Sequence, residues 1–322
     1  LQRTCGKYVM LRMYPLGFGG GVIGLKKCSV IDLGSNTVRL SVYRCEGLEF
    51  SQLFSRKEMV GLAGYVEEGR LSDKGIKKAC EVLLSFRELL QNLEITDVHV
   101  FATASLRNID NTAEALETIR LQTGYMIEVI SGEEEARLDF IGASCSVKIP
   151  SGILIDIGGG STEIVKFENH LIQDAISLPI GSLGLFRRYV KDLFPGKNEL
   201  LAMRTSALEV PRQVETPGAS VGILCGVGGT VRAAAKLQKE RCGTSLPGQF
   251  PTADLKKMLR QLRTGDRSAL MQLLRVVPDR IHTAIPGMIL LDVIADYFDV
   301  HTIVVSSCGV REGYLLEHVL RR

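Results

Sequence analysis

The sequence predicts an α/β protein containing one supersecondary unit twice, and three observations carry that expectation. Short β-rich runs alternate with amphipathic stretches from Cys28 onward. A strand, Asp-x-Gly turn, strand unit occurs at Asp32 and again at Asp156, a spacing of about 120 residues that fits one duplication, not a solenoid. Glycine turns then follow two further strands, at Gly228 and Gly309. The length of 322 residues allows roughly two domains of about 150 residues. Hydrophobic residues make up 45% and charged residues 23%, which excludes a disordered chain, a collagen and a coiled coil.

Residues 1–24 read differently from the rest. Arg3, Lys7 and Arg12 occur without any acid, and Gly17, Gly19, Gly20 and Gly21 interrupt what would be the apolar core of a secretory signal. Gly19, Gly21 and Gly24 also form a dinucleotide-like pattern, but it neither follows a strand nor opens a helix. This segment is expected to be a non-native or disordered leader. The net charge of +3 falls to zero without it, which argues against nucleic acid as a partner.

The first repeat opens with a strand at Cys28–Ile31, a tight turn at Asp32–Asn36 and a second strand at Thr37–Tyr43. Ile76, Ala79, Leu83, Phe86 and Leu90 recur at helical spacing after Asp73. Val98–Ala102 reads as a buried strand. Asn111 with Glu114 marks a helix start, and Ile127–Ile130 is a further strand. Ser131 and Glu134 match a reciprocal cap at the head of the next helix. The second repeat runs through Gly152–Ile155, the turn Asp156–Thr162 and Glu163–Phe167. A strand at Val221–Cys225 then leads into a helix over Val231–Lys239, and Ile303–Val305 precedes a terminal helix. Stretches around Pro217 and Pro247 read as surface loops.

The two Asp-x-Gly turns point to phosphate chemistry. Glycine after the strand lets backbone amides approach an anion. Ser35, Asn36, Ser161 and Thr162 add side-chain donors, while Asp32 and Asp156 are placed to hold Mg²⁺ beside the phosphate. Glu133 and Glu134 are accounted for by the helix dipole and the cap, but Glu135 is not, which makes it a candidate general base. Arg107, Arg137, Arg232, Arg280 and Arg311 are individually weak candidates for anion contacts. The five histidines are scattered. The eight cysteines form no CxxC pair, so a zinc or redox motif is excluded, and reduced thiols in a chain of this size indicate the cytoplasm. No apolar run reaches the length of a membrane helix.

Several segments together resemble the exopolyphosphatase/guanosine pentaphosphate phosphatase (Ppx/GppA) family, over about Lys27 to Arg322. They are Val30–Thr37, Ala102–Arg107, Ile130–Arg137, Ile155–Glu163, Gly228–Thr230 and Ser307–Gly313. The resemblance implies two ribonuclease-H-like domains of the actin-like ATPase superfamily flanking a central cleft. On that basis domain I spans 25–130, with 309–322 packing on it, and domain II spans 131–308. It implies Mg²⁺-dependent release of terminal orthophosphate from polyphosphate, or conversion of guanosine pentaphosphate to tetraphosphate. Glu135 falls on the family's base, and Asp156 and Glu163 on its metal-associated acids, joined by Asp32 from the reading above. Gly34, Ser35, Asn36, Gly158, Gly159, Gly160 and Ser161 fall on its phosphate loops, with Gly228, Gly229 and Thr230 in a third, and Arg107 faces the phosphates. The expected form is the short two-domain one, without the helical C-terminal domain of long members, and a homodimer is compatible with it. Two other readings share the Asp-x-Gly turns: a kinase of the same superfamily, and a nucleotide-switched binding protein.

Overall fold

In the computed structural model, residues 26–209, 221–242, 248–263 and 265–321 are described. The leader 1–24 and the segments around Pro217 and Pro247 lie outside them. β1 (Lys26–Leu33), β2 (Thr37–Glu46) and β3 (Glu49–Met59) form an antiparallel meander. A single helical turn (Leu62–Tyr65) and a small ribbon, β4 (Val66–Glu67) with β5 (Arg70–Leu71), lead into α1 (Asp73–Asn92). β6 (Val98–Ala102) returns parallel to β1. After α2 (Ala104–Arg107) and α3 (Thr112–Thr123), the short β7 (Glu128–Val129) runs parallel to β6. The sheet order is β3-β2-β1-β6-β7.

After α4 (Gly132–Ser146) the plan repeats. β8 (Gly152–Ile157), β9 (Thr162–Glu168) and β10 (Leu171–Leu178) are antiparallel, followed by α5 (Ser182–Tyr189) and α6 (Lys197–Ala207). β11 (Gly222–Val227) runs parallel to β8 and feeds α7 (Gly228–Cys242). β12 (Gln249–Pro251), α8 (Thr252–Leu262), α9 (Arg267–Val276) and α10 (Ala284–Tyr297) lead to β13 (Val300–Val305), parallel to β11. β12 adds an antiparallel edge, giving the order β10-β9-β8-β11-β13-β12. Three antiparallel strands continued by two parallel ones is the ribonuclease-H-like arrangement, present twice. The fold is that of the actin-like ATPase superfamily. α11 (Val310–Tyr314) and a wider final turn, Leu315–Leu320, end the described chain.

The apolar pattern explains the layers. α1 buries Ile76, Ala79, Leu83, Phe86 and Leu90 against the first sheet. α10 is buried from Ala284 to Ala295 and fills the core beside the second sheet; Pro286 is tolerated in its first turn, where no intrahelical N–H partner is required. No helix among the described residues is long and apolar enough to cross a membrane. Two local expectations change. α3 starts where expected, with Asn111 at its N-cap position, but the Asn111 side chain pairs with the Leu71 backbone instead of the helix, accepting at 2.9 Å and donating at 3.0 Å. Ser131 does cap α4, accepting from the Glu134 amide at 3.0 Å, but the Glu134 carboxylate turns to Arg137 and His318 instead of back to the cap.

The C-terminal segment crosses back onto the first sheet. Tyr314, Leu315 and Leu316 pack with Cys28, Val30, Tyr43, Phe101 and Ile130, and Phe101 stacks on Tyr314 at 4.7 Å. α11 also lies directly on α4, because Gly142 and Gly313 let the backbones touch. A Cβ at Gly142 would stand 2.0 Å from the Gly309 carbonyl, and one at Gly313 would stand 1.9 Å from the Leu138 carbonyl. Both obstacles are backbone, so neither can swing aside. Gly142→Ala and Gly313→Ala are therefore expected to destabilise the fold by about 1–3 kcal/mol or more, read as a lowered midpoint in chemical denaturation. An unchanged midpoint would show that the two helices are not held in this contact.

Candidate active site

Each Asp-x-Gly turn closes on itself in the same way. The Gly34 amide donates to the Thr37 carbonyl at 3.0 Å, and the Gly158 amide to the Ser161 carbonyl at 2.9 Å. The turns then meet tip to tip. A Cβ on Gly160 would fall 2.7 Å from Ser35 Oγ, and one on Gly159 would fall 3.3 Å from Asn36 Cβ. The carbonyls of both turns are bonded on their outer sides. Ser35 and Asn36 accept from Ala63 and Gly61 (both 2.9 Å), and Gly158 and Gly159 accept from Ser182 (2.9 Å) and Leu183 (3.0 Å) at the start of α5. In a trans peptide the N–H opposes the C=O. The amides of Asn36, Gly159 and Gly160 therefore point the other way, into a cavity of about 140 Å³ that these residues line.

Asp32, Gly34, Ser35, Gly158, Ser161, Gly228, Gly229, Asp156 and Glu135 line the same cavity. Gly228 must be glycine: its φ is +71°, and a Cβ would fall 1.9 Å from Asp156 Oδ1. Thr230, Arg107 and Glu163 stand one layer behind. Thr230 is buried and donates its hydroxyl to the Ile157 carbonyl at 2.8 Å, so it ties one turn to the other and does not present that group to a ligand. Arg232, Arg280 and Arg311, individually weak candidates in the sequence, converge on the cavity together. Arg137 does not; it pairs with Glu134 and Glu317. Arg39 is the residue that sequence reasoning missed. Its only signal was a charged residue in an otherwise apolar stretch of the β2 strand, and its pairing directly opposite Asp32 emerges from the sheet register.

Four guanidinium groups in so small a space leave the cavity short of negative charge. Burial and repulsion from Arg311 and Arg232 push Arg39 down to about 10. Burial also lowers Arg232 and Arg280. Burial raises Asp32 to about 6 against the pull of Arg311 and Arg39.

An acidic cluster lies beside the arginines. Arg107 reaches from α2 to Glu135 on α4 at 2.8 Å, bonds the Ile130 carbonyl at 3.2 Å, and stands 3.9 Å from Glu163. Ser177 donates to Glu163 at 2.7 Å. Burial, then the neighbouring Glu163 carboxylate, raises Glu135 well above the usual range, with Arg107 opposing both. Glu163 is pushed up to about 7, by burial first and then by Asp156. Among the described residues, no three His, Cys, Asp or Glu side chains form a closed metal cage. Asp156, however, faces the cavity, and burial raises it although three arginines act to lower it. A partly buried carboxylate beside a glycine turn fits a hard divalent cation, which needs only one or two protein carboxylates when phosphate supplies the rest.

A model of the Ppx/GppA phosphatase family matches residues 41–322, most of the chain. The chain belongs to the Ppx/GppA phosphatase family. Its match begins after the first Asp-x-Gly turn, so the place of that turn rests on the structure. A solved Ppx/GppA structure from Aquifex aeolicus is 26% identical and superposes with a TM-score of 0.76, over 92% of this chain and 99% of that one. An exopolyphosphatase from Cytophaga hutchinsonii shares the fold at 21% identity, with a TM-score of 0.79 over 91% and 99%. A nucleoside triphosphate hydrolase from Neospora caninum shares it more distantly, at 12% identity and a TM-score of 0.54 over 92% of each chain.

One acid of the cluster has no evident role in this Ppx/GppA site. Asp139 lies one helical turn beyond Glu135 on α4 and is wholly buried, and neither of its oxygens makes a side-chain hydrogen bond. Burial and the Asp156 carboxylate raise it far above its usual 3.8, and the nearby Val310 amide offsets this only in part. The folded form thus keeps a proton that the unfolded chain releases, so this residue's contribution to stability falls as pH rises above 3.8. Asp139→Asn removes that dependence. The variant's melting temperature should gain on the parent's as pH is raised from about 5 to about 8. A constant gap would mean that Asp139 is ionised in the fold.

Proposed function

We propose that the protein is a Mg²⁺-dependent phosphoanhydride hydrolase that removes terminal orthophosphate from inorganic polyphosphate. The observation that carries this reading is the place of Glu135. It is a buried carboxylate at the edge of a cavity lined by the two glycine turns, four arginines and the carboxylates of Asp32 and Asp156. A terminal phosphoryl group fits this lining: the amides of Asn36, Gly159 and Gly160, with Arg39, Arg232, Arg280 and Arg311, meet the charge that builds on its oxygens. Glu135 takes a proton from water as the water oxygen bonds to the terminal phosphorus. The bridging P–O bond breaks, and the shortened chain leaves with the bridging oxygen. Arg107 orients Glu135 throughout, and Ser177 holds Glu163 behind it.

Asp156 and Asp32 would hold the ion at the cavity, with Glu163 in support. Mg²⁺ bound there supplies positive charge to the phosphate oxygens. Inorganic polyphosphate requires only the phosphate contacts that this lining offers. Guanosine pentaphosphate is the second reading, since its 5′-triphosphate carries the same terminal anhydride, with the nucleoside lying outside this lining.

Glu135→Gln is expected to lower turnover of tripolyphosphate by about 100- to 10,000-fold while leaving its binding within a few-fold; phosphate release within tenfold of the parent would remove Glu135 from the base role. The same base must be unprotonated to act. With Glu135 raised and Glu163 at about 7, kcat should fall as pH is lowered from about 8 to about 6. A profile flat over that range would indicate a base with the usual carboxylate value. Chelation of divalent ions should abolish phosphate release and added Mg²⁺ restore it, whereas full activity in chelator would contradict the proposed role of Asp156. Release from none of polyphosphate, tripolyphosphate, guanosine pentaphosphate or ATP would favour a kinase or a switch.

A further inference from the structure

The charges of the cavity do not stop at its lining. Asp32 on β1, Arg39 on β2 and Lys57 on β3 are cross-strand neighbours, so they form one row across the first sheet. Asp32 and Arg39 face the cavity, whereas Lys57 lies beyond it at the edge of the sheet. There Lys57 reaches across to the other half of the molecule and forms an ion pair with Asp279. Asp279 is held below its usual value because hydrogen bonding and charge from Lys57 outweigh its partial burial.

The residue after Asp279 is Arg280, one of the four cavity arginines. The two share the single turn Pro278–Arg280, which is tightly fixed. Its proline sets the entry, the Arg280 amide bonds the Val277 carbonyl at 2.9 Å, and the Thr283 amide bonds the Arg280 carbonyl at 3.0 Å. The Arg280 guanidinium lies on the bare Cα of Gly229, where a Cβ would come within 1.6 Å of Nη2. Burial acts against its charge, while Asp279 and Asp156 act for it. A second contact crosses on the same side of the cleft: Arg187 donates to the carbonyls of Ala63 and, at 3.3 Å, Gly64. Phe186, next to Arg187, lies 5.1 Å from the His282 ring, two residues beyond Arg280, so both crossings belong to one seam.

We infer that Lys57 is a positioning residue: by holding Asp279 from the opposite sheet, it sets Arg280 over Gly229 in the phosphate cavity. The inference rests on the reading that this cavity takes phosphoanhydrides. Neither Lys57 nor Asp279 touches the ligand, and the effect of each passes through Arg280. The site then forms fully only when the two sheets stand in this register, because one half supplies the arginine and the other supplies its anchor.

The sign of one substitution separates positioning from simple charge. Asp279→Asn removes a negative charge near an anion site, so electrostatics alone would tighten phosphate binding. Positioning requires that it weaken. The test measures tripolyphosphate binding by calorimetry on the full chain carrying Glu135→Gln, with Mg²⁺ present, so that no turnover intervenes. Asp279→Asn and Lys57→Ala should each weaken binding at least fivefold. Lys57→Arg should hold it within twofold, and with Arg280→Ala already present Lys57→Ala should change it by less than twofold. Tighter binding in Asp279→Asn overturns the inference. So does a Lys57→Ala loss that persists in full without Arg280. Should Asp279→Asn fail to fold, the Lys57 variants with and without Arg280 decide the matter. No tripolyphosphate binding to the Glu135→Gln chain itself would instead overturn the reading of the cavity, and this inference with it.

Discussion

The contact on which the rest of the molecule depends is made by two loops with almost no side chains. Gly159 and Gly160 lie against Ser35 and Asn36 at a separation that leaves no room for a Cβ on Gly160. Each turn can come that close because its own carbonyls are bonded behind it, one set to the loop at Gly61–Ala63 and the other to the first turn of α5. Two sheets of the same plan thereby meet at the ends of corresponding strands, and the tips of both turns line one cavity. Crevices at the carboxyl ends of strands are where α/β folds bind ligands. Here the crevice is shared between two copies of the unit.

That geometry creates an electrostatic problem that the protein alone does not solve. Arginines from β2, α7, the Pro278–Arg280 turn and α11 crowd the cavity, and a set of buried acids from α4, β8 and β9 stands next to them. Burial drives the acids up and Arg39, Arg232 and Arg280 down, toward their uncharged forms, whereas Glu312 and Asp32 hold Arg311 charged against its own burial. Arg107 neutralises Glu135 by a direct ion pair, but no such pair is recorded for Asp156 among the described residues. A polyanion and a divalent cation would supply the charges this arrangement is missing. Strain of this kind is characteristic of sites built for a ligand at the expense of stability.

Much of this was legible in the residues. The repeated Asp-x-Gly unit marked both halves, and Glu135 stood out because a cap and a helix dipole explained its neighbours but not itself. The sequence misled where a local rule competed with a tertiary partner. Asn111 has a capping residue's identity, but the Leu71 backbone takes its amide. Glu134 fits a capping box, but Arg137 and His318 hold it. Thr230 sits in a phosphate-like motif, yet its hydroxyl braces the neighbouring turn. β3, β10 and β12 lie toward the outer edges of their sheets and carry weaker apolar alternation, so the pattern did not single them out.

By itself, then, the sequence determined the class of fold and picked out the paired glycine turns and Glu135 as candidates, because these depend on residues close together in the chain. Glycine after a strand, alternation along a strand and a cap before a helix are local physics. Only the tertiary structure decided which arginines share the cavity, since Arg39, Arg232, Arg280 and Arg311 come from four separate elements and sequence spacing does not bring them together. It also decided the protonation of the buried acids, because desolvation is a property of everything packed around a group. The Lys57–Asp279 pair joins residues more than two hundred positions apart. Such a contact exists only once both sheets have folded and met.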